Sequence, residues 1–331
     1  MDGSLHVGVI GVGHLGSLHA KFLSEIQRAS LVGVYDLDRE RAASVARHVG
    51  TRAFPSLDGL IEACDALTIA TPTSTHTEIA RNVLSAHRHL FIEKPMTATV
   101  AEADELIALA NEAGVKIMVG HVERFNPAIL ALEGYQLDPM FIESHRLAQF
   151  NPRGTDVAVV LDLMIHDIDL ILSLVHSPIA HIDANGVAVV SQTVDIANAR
   201  IQFANGCVAN VTASRISQRK MRKMRLFQRD AYISIDFLEG LTEVFRLVDV
   251  LEPHDQPAVL LGHIERGAVK RNIVYEQPEQ PEVNPLKYEM EQFVAAVQDN
   301  RRPPVTAEEA RAALAVVEEI IHRIEDQGIA P

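Results

Sequence analysis

Cysteine is nearly absent from this chain: Cys64 and Cys207 stand far apart and no CxxC pair occurs. That excludes a disulfide framework and fits reduced, buried thiols in a cytoplasmic protein. No apolar run reaches the length of about 18 residues that a bilayer span requires. Met1 to Gly13 also lacks the charged-then-apolar layout of a secretory leader. Internal repeats and low-complexity segments are missing too. Basic residues are outnumbered, 30 Lys and Arg against 44 Asp and Glu, for a net charge of −14, so a general nucleic-acid binder is not expected. The expectation is a soluble, cytoplasmic globular protein with neither nucleic-acid nor membrane partners.

What is present points to α/β architecture. The 331 residues exceed one ordinary domain, and 47% hydrophobic with 22% charged residues is ample for a full core. Leu5 to Ile10 reads as a strand buried on both faces. Gly11-Val12-Gly13-His14-Leu15-Gly16 follows, and Ser17 to Ile26 has helical spacing. Strand, glycines and helix in this order form a dinucleotide-binding fingerprint. Gly11 permits the tight turn, Gly13 lets backbone approach a pyrophosphate, and Gly16 lets helix and strand pack closely. His14 and Leu15 complete the loop, whose helix offers free N–H groups and a positive dipole end to phosphates. A second strand, Leu31 to Tyr35, ends at Asp36, about 20 residues past Gly16, the interval for a carboxylate that binds a ribose diol. It would repel a 2′-phosphate, which favours NAD over NADP, and Arg39 and Arg41 are read as lying on the solvated side of the next helix.

Further strands at Asp65–Ala70, Leu90–Ile92 and Lys116–Val119 alternate with helices at Glu78–Ala86 and from the Thr99-x-x-Glu102 capping box to Gly114. The loop Thr71 to His76 offers Thr71, Pro72 and His76 to the cofactor; its plainer reading is a strand-to-helix connection with hydroxyl caps. Glu93-Lys94-Pro95 closes the fourth strand at the same edge as the glycine loop. Lys94 can bridge cofactor and substrate there; alone, the triplet is equally a solvated surface turn.

Beyond Gly120 the pattern changes. His121 to Pro127 ends a strand and leads into a helix through about Leu132, with Arg124 and Asn126 able to hold substrate hydroxyls or to form a structural Arg–Glu linker. Met140 to Arg146 reads as a strand, Asn151 to Thr155 as a loop carrying Arg153, and Val157 to Val175 as one apolar helix. Asp162 and His166 are four apart on that helix and Asp169 follows on the same side, so the polar groups must be paired or functional. A general acid/base is the sharper reading. A metal held by Asp162, His166 and His121 is the weaker one, because no familiar zinc spacing occurs, and none is expected. From Ile182 onward strands alternate, with Asn205-Gly206 as a type I′ hairpin signal and more strands near Lys223–Phe227, Tyr232–Asp236 and Thr242–Val248. One wide face of such a sheet needs covering by a helix or another subunit. Between Asp195 and Asp230 no acidic residue interrupts eight basic ones, including Arg215. This stretch suits the diphosphate of a nucleotide-linked substrate, or equally a subunit interface. Helices at Pro285–Val297 and from Thr306 to about Ile324 close the chain.

Taken together, Gly11–Gly16, Asp36, Glu93-Lys94-Pro95 and the Asp162-x-x-x-His166-x-x-Asp169 helix resemble the Gfo/Idh/MocA family of NAD(P)-dependent oxidoreductases over essentially the whole length. The resemblance implies a Rossmann domain (1–121), an α/β substrate-binding domain with a large, mostly antiparallel open sheet (122–284), and C-terminal helices (285–331) that pack back on the core. It implies dimers or tetramers through that sheet. Lys94 would position the reacting carbinol, His166 would take its proton, Asp162 would be the neighbouring carboxylate, and the Lys94-Pro95 peptide would be cis. Glu93 and Lys94 join the cofactor surface, while Arg124, Asn126, Arg153 and Arg215 join the substrate surface. Gly120 to Pro127 and Ser214 to Phe237 further resemble a narrower group, the UDP-N-acetylglucosamine 3-dehydrogenases. That group makes a 3-keto sugar nucleotide which an aminotransferase converts to a 3-amino sugar for lipid A of lipopolysaccharide. The alternatives are a family dehydrogenase of UDP-N-acetylglucosaminuronate, a free sugar or inositol, and a non-catalytic NAD(H) sensor.

Overall fold

Continuous apolar runs dictate the first sheet. The computed structural model describes residues 3–151, 157–249, 258–266 and 269–326, so Arg153 lies outside the described residues. The chain divides into two units, Met1–Val122 with Val283–Ala315, and Glu123–Glu282 with Val316–Pro331. In the first unit the elements follow as β1 (Leu5–Ile10), α1 (His14–Glu25), β2 (Ala29–Tyr35), α2 (Arg39–Val49), β3 (Arg52–Ala53), α3 (Leu57–Glu62), β4 (Ala66–Ile69), α4 (His76–Ser85), β5 (His89–Glu93), α5 (Val100–Ala113) and β6 (Ile117–Gly120). The strands form a parallel six-stranded sheet in the order β3-β2-β1-β4-β5-β6. Every residue of β4 and β6 is buried, as strands covered on both faces by helices must be. The strand order reverses at β1, which opens a crevice at the carboxyl ends of β1 and β4.

Local signals set most boundaries. The Thr99–Glu102 capping box opens α5 and Gly114, in the left-handed region at φ 67°, ends it. The helix after the glycine loop begins at His14, earlier than the apolar spacing from Ser17 suggests. β3 was not anticipated: its residues are both exposed, so it has no apolar period to read.

The second unit opens with α6 (Pro127–Leu130), a single turn where a helix through Leu132 was expected, because Asn126 caps it and turns follow from Ala131. Then come β7 (Phe141–Leu147), α7 (Ile165–Leu174), β8 (Ile179–Val187), β9 (Ile196–Phe203), β10 (Val208–Ser214), β11 (Met221–Phe227), β12 (Ala231–Asp236), β13 (Leu241–Val248), β14 (Ala258–Arg266) and β15 (Val269–Glu276). They make a nine-stranded sheet in the order β14-β15-β13-β12-β11-β7-β10-β9-β8. Its pairs are antiparallel apart from β7 with β10.

Three readings are corrected here. The apolar segment after Val157 is not one α-helix: a π-helical turn at Val160–Met164 precedes α7. The hairpin between β9 and β10 forms, but Gly206 (φ 90°) alone is left-handed and its N–H bonds the Phe203 carbonyl, so this is a bulged three-residue connection rather than type I′. β14 and β15 were not anticipated: β14 is an exposed edge strand with little alternation, and β15 beside it carries charged residues among its apolar ones.

Buried residues of β7 and β12 alternate strictly with more exposed ones, and those of β10 and β11 do so over most of their length. Helix α7 packs on β7 and β10. A row of rings, Phe141, Phe227, Tyr232, Phe245 and Tyr275, crosses five strands with neighbouring centroids 5.0–5.8 Å apart. The last helices are α8 (Pro285–Gln298) and α9 (Ala307–Asp326). α8 belongs to the first unit, where Phe293 meets Phe91 of β5 at 5.8 Å between ring centroids.

Candidate active site

Four turns after β1, β2, β4 and β5 gather at the carboxyl edge of the parallel sheet. Gly11 has φ 81°, and a Cβ there would lie 2.6 Å from Thr71 Cγ2. A Cβ on Gly16 would lie 1.8 Å from the Gly11 carbonyl oxygen, so helix and loop close only around glycine. Gly13 differs, because a Cβ on it would meet no protein atom within 4 Å. As N-cap of α1 it brings no side-chain cap to the helix, which leaves the N-terminal N–H groups to a ligand or to water. His14 and Leu15, the first two residues of α1, are exposed.

Asp36 closes the loop from the second strand. Its Oδ2 accepts the Val12 N–H at 2.8 Å and its Oδ1 accepts the Asp38 N–H at 2.9 Å. Arg41, exposed as expected, also reaches this carboxylate at 3.6 Å while pairing with Asp38 at 3.1 Å. The turn after β4 is cross-braced by Thr75, whose hydroxyl donates to the Pro72 carbonyl and accepts from the Thr71 hydroxyl, each at 2.8 Å.

His76, expected at the cofactor, is fully buried. Its Nδ1 lies 3.0 Å from the Pro95 carbonyl and its Nε2 2.9 Å from the Thr71 carbonyl. Burial pushes its pKa down despite the carbonyl partners, so the ring is neutral. Glu93 likewise turns inward: its Oε1 lies 2.9 Å from buried His19 Nε2 of α1. Lys94, half-buried, stands between these two held residues, and the Lys94-Pro95 peptide is cis.

In the second unit, Asp162 lies in the π-helical turn and His166 at the head of α7, both half-buried. Hydrogen bonds of a π-turn run i→i+5, so the simple four-residue stacking expected of this pair does not apply. Asp169, expected on their side, is buried in a two-pronged bond with Arg124 at 2.6 and 2.8 Å. Asp167 is buried too and binds Arg146 at 2.7 Å and the Ser144 hydroxyl at 2.9 Å. Arg146 also donates to Glu123 at 2.7 Å. Burial pulls the Arg146 pKa down, but Asp167 and Glu123 outweigh it and raise it.

These bonds redirect several expected substrate contacts. Asn126 caps α6 through Oδ1 and donates to Glu123 at 3.1 Å and to the Phe237 carbonyl at 3.2 Å, so its amide is structural. Arg215 is buried; its guanidinium donates to the Val157 carbonyl and lies 3.8 Å from Asp195. Asp195 in turn accepts the N–H groups of Val189, Val190 and Ser191 at 2.7–3.0 Å. Although burial opposes it, these bonds hold the Asp195 carboxyl down at about 2. The pairing of Arg146 with Asp167 went unread in the sequence, yet an arginine at an inward strand position signals a buried carboxylate partner.

The chain matches the model described as the oxidoreductase family with an NAD-binding Rossmann fold over residues 5–121 and that of the GFO/IDH/MocA C-terminal domain over 138–234. It is 44% identical to UDP-N-acetylglucosamine 3-dehydrogenase of Acidithiobacillus ferrooxidans over 243 residues, 73% of this chain and 77% of that one. The chain belongs to the Gfo/Idh/MocA family of oxidoreductases. The solved structure of UDP-N-acetylglucosamine 3-dehydrogenase GnnA from Acidithiobacillus ferrooxidans superposes with a TM-score of 0.87 at 36% identity, covering 99% of both chains. Glucose-6-phosphate 3-dehydrogenase of Bacillus subtilis is 36% identical over 119 residues, 36% of this chain and 34% of that one.

NAD is the cofactor of this family member, and the residues fit it. The space beside Gly13 is the volume a diphosphate would take, since a Cβ would fill it and nothing of the protein does. Asp36 keeps lone pairs for a ribose diol after its two backbone bonds. Among the described residues no helix is long and apolar enough to cross a membrane.

Proposed function

We propose that this protein oxidises the C3 hydroxyl of UDP-N-acetylglucosamine to the 3-keto sugar. The full-length likeness to the Acidithiobacillus ferrooxidans enzyme carries this reading. Bound NAD supplies the acceptor for the hydride that leaves C3. Lys94 holds the hydroxyl oxygen by a charge-assisted hydrogen bond and stabilises the negative charge that grows on it. His166 accepts the hydroxyl proton at an imidazole nitrogen, and Asp162, in the π-helical turn before it, is our assignment for the carboxylate that answers that charge.

The basic stretch supports an anionic substrate, with different residues from those first expected. Arg215, Arg222, Lys223 and Arg225 are engaged with Asp195, Glu123, Asp236 and Glu143. Arg219 and Lys220, on the connection from β10 to β11, are exposed and meet no acidic partner among the described residues. Gln149 bonds the Gln218 carbonyl at 2.9 Å, which ties that connection to the segment after β7. These two cations are our assignment for the substrate diphosphate. The aromatic row on the nine-stranded sheet is our assignment for a homo-oligomer interface. The 3-keto product fits a cytoplasmic aminotransferase that makes a 3-amino sugar for lipid A.

The test is NADH formation with UDP-N-acetylglucosamine, an aminotransferase and amino donor being present to pull the equilibrium. UDP-N-acetylglucosaminuronate, free N-acetylglucosamine and myo-inositol run alongside. Activity on free polyols but not on the sugar nucleotide would overturn the substrate assignment. Lys94→Ala is expected to lower kcat by about 10²–10³ and His166→Ala by about 10²–10⁴. NADH binding should be unchanged in both.

A further inference from the structure

Two buried imidazoles from different helices grip the turn that presents Lys94. His19 of α1 holds the Glu93 carboxylate from one side, and His76 at the head of α4 reaches the Pro95 carbonyl from the other. Both histidines are 0% exposed, so neither ring offers a surface to a ligand. A neutral imidazole carries one N–H and cannot donate to two carbonyls. The Pro95 contact is buried, whereas the Thr71 contact is only partly so. A buried carbonyl deprived of its donor costs more than one that water can reach. The single proton therefore belongs on Nδ1, facing Pro95.

We infer that His76 is a positioning residue: by donating from Nδ1 to the Pro95 carbonyl it fixes the backbone that carries the Lys94 ammonium. With that proton on Nδ1, Nε2 has none to give the Thr71 carbonyl 2.9 Å away, so the ring meets the turn whose threonine packs under Gly11 by contact alone. The Lys94 turn is thus held at Pro95 by His76 and at Glu93 by His19, on the helix that the glycine loop opens. This inference rests on the role proposed for Lys94. A misplacement of about 1 Å at a reacting group costs on the order of 10² in rate, so losing the strap should be read in kcat rather than in cofactor affinity.

Asparagine and glutamine separate the two ring positions, because the Asn amide reaches the place of Nδ1 and the Gln amide that of Nε2. His76→Ala should lower kcat about 10- to 100-fold while NADH affinity, followed by fluorescence titration, stays put. His76→Asn should recover most of the loss and His76→Gln little of it. Equal recovery by both, or a fall in NADH affinity matching the fall in kcat, would overturn the inference and return His76 to the cofactor surface. Nitrogen NMR of histidine-labelled protein gives a reading independent of any substrate. A proton on Nδ1 of the ring that disappears in His76→Ala supports the strap even where no sugar in the panel turns over, a result that would strike the substrate assignment alone. A proton found on Nε2 would overturn the strap whatever the activity.

Discussion

In the first unit the charged and polar groups of the candidate site sit on turns directly after strands, whereas in the second the charges around α7 are mostly turned inward. Asp36, Thr71 and Lys94 each follow a parallel strand, and the sheet order alone brings them to one edge. Around α7, Asp167 and Asp169 are tied to Arg146 and Arg124, and Asp162 and His166 are the half-buried pair. A parallel sheet assigns chemistry by topology, so polar residues at its strand ends are site candidates. A mixed sheet backed by helices has a wide interior in which polar residues are as often internal ties.

The largest effect that would test this difference is on stability. Arg146→Met leaves Asp167 and Glu123 buried without their cation, and should destabilise the protein by about 3–5 kcal/mol. Urea unfolding would measure it; a loss below about 1 kcal/mol would mean that water or Arg222 relieves the two carboxylates, and the internal-tie reading would fail. A pair of glycines in the first unit gives the next effect. Gly16→Ala forces backbone apart and should cost about 1–3 kcal/mol, with NADH binding lost. Gly13→Ala meets no protein atom and should change stability by no more than about 0.5 kcal/mol, while weakening NADH about tenfold or more. Equal stability losses in the two would show that Gly13 is structural as well.

The same contrast explains which features were legible in the sequence. Gly11 to Gly16, Asp36, Glu93 to Pro95 and the Thr99–Glu102 box each lie within one strand, turn and helix, so local spacing carries them. The ties that govern the second unit do not. Arg146 to Asp167 spans 21 residues, Arg124 to Asp169 spans 45 and Asn126 to Phe237 spans 111. No window of helical or strand period connects such partners. Arg124, Asn126 and Arg215 therefore read as substrate groups from their chemistry alone, and only the pairing shows their other engagement. The first unit has such ties as well, among them His19 with Glu93, 74 residues apart, and Arg28 with Asp299, 271 apart. The π-helical turn was also invisible, since its residues keep an apolar pattern that an α-helix would share.

A smaller, pH-dependent effect follows from Asp195. Its folded pKa is depressed from 3.8 to about 2, so its stabilising contribution is fully present above the unfolded value and is lost as pH falls through the folded one. The slope of stability against pH between about 4 and 2 should flatten in Asp195→Asn. An unchanged slope would remove Asp195 from the anchor that joins the 189–191 turn to Arg215.

The subtlest effect uses the two cysteines, one in each unit. Burial, helped by Asp65, pushes the Cys64 thiol up to about 12, and burial, helped by Asp138, pushes Cys207 up to about 11. Both stay protonated and covered at neutral pH, so a thiol reagent should label them only through local opening. Arg146→Met weakens ties of the second unit alone. It should speed labelling of Cys207 while leaving Cys64 near its wild-type rate, as read by mass spectrometry of the labelled peptides. If both cysteines accelerate together, the two units open as one cooperative block. The inward charges around α7 would then support the whole chain rather than their own half of it.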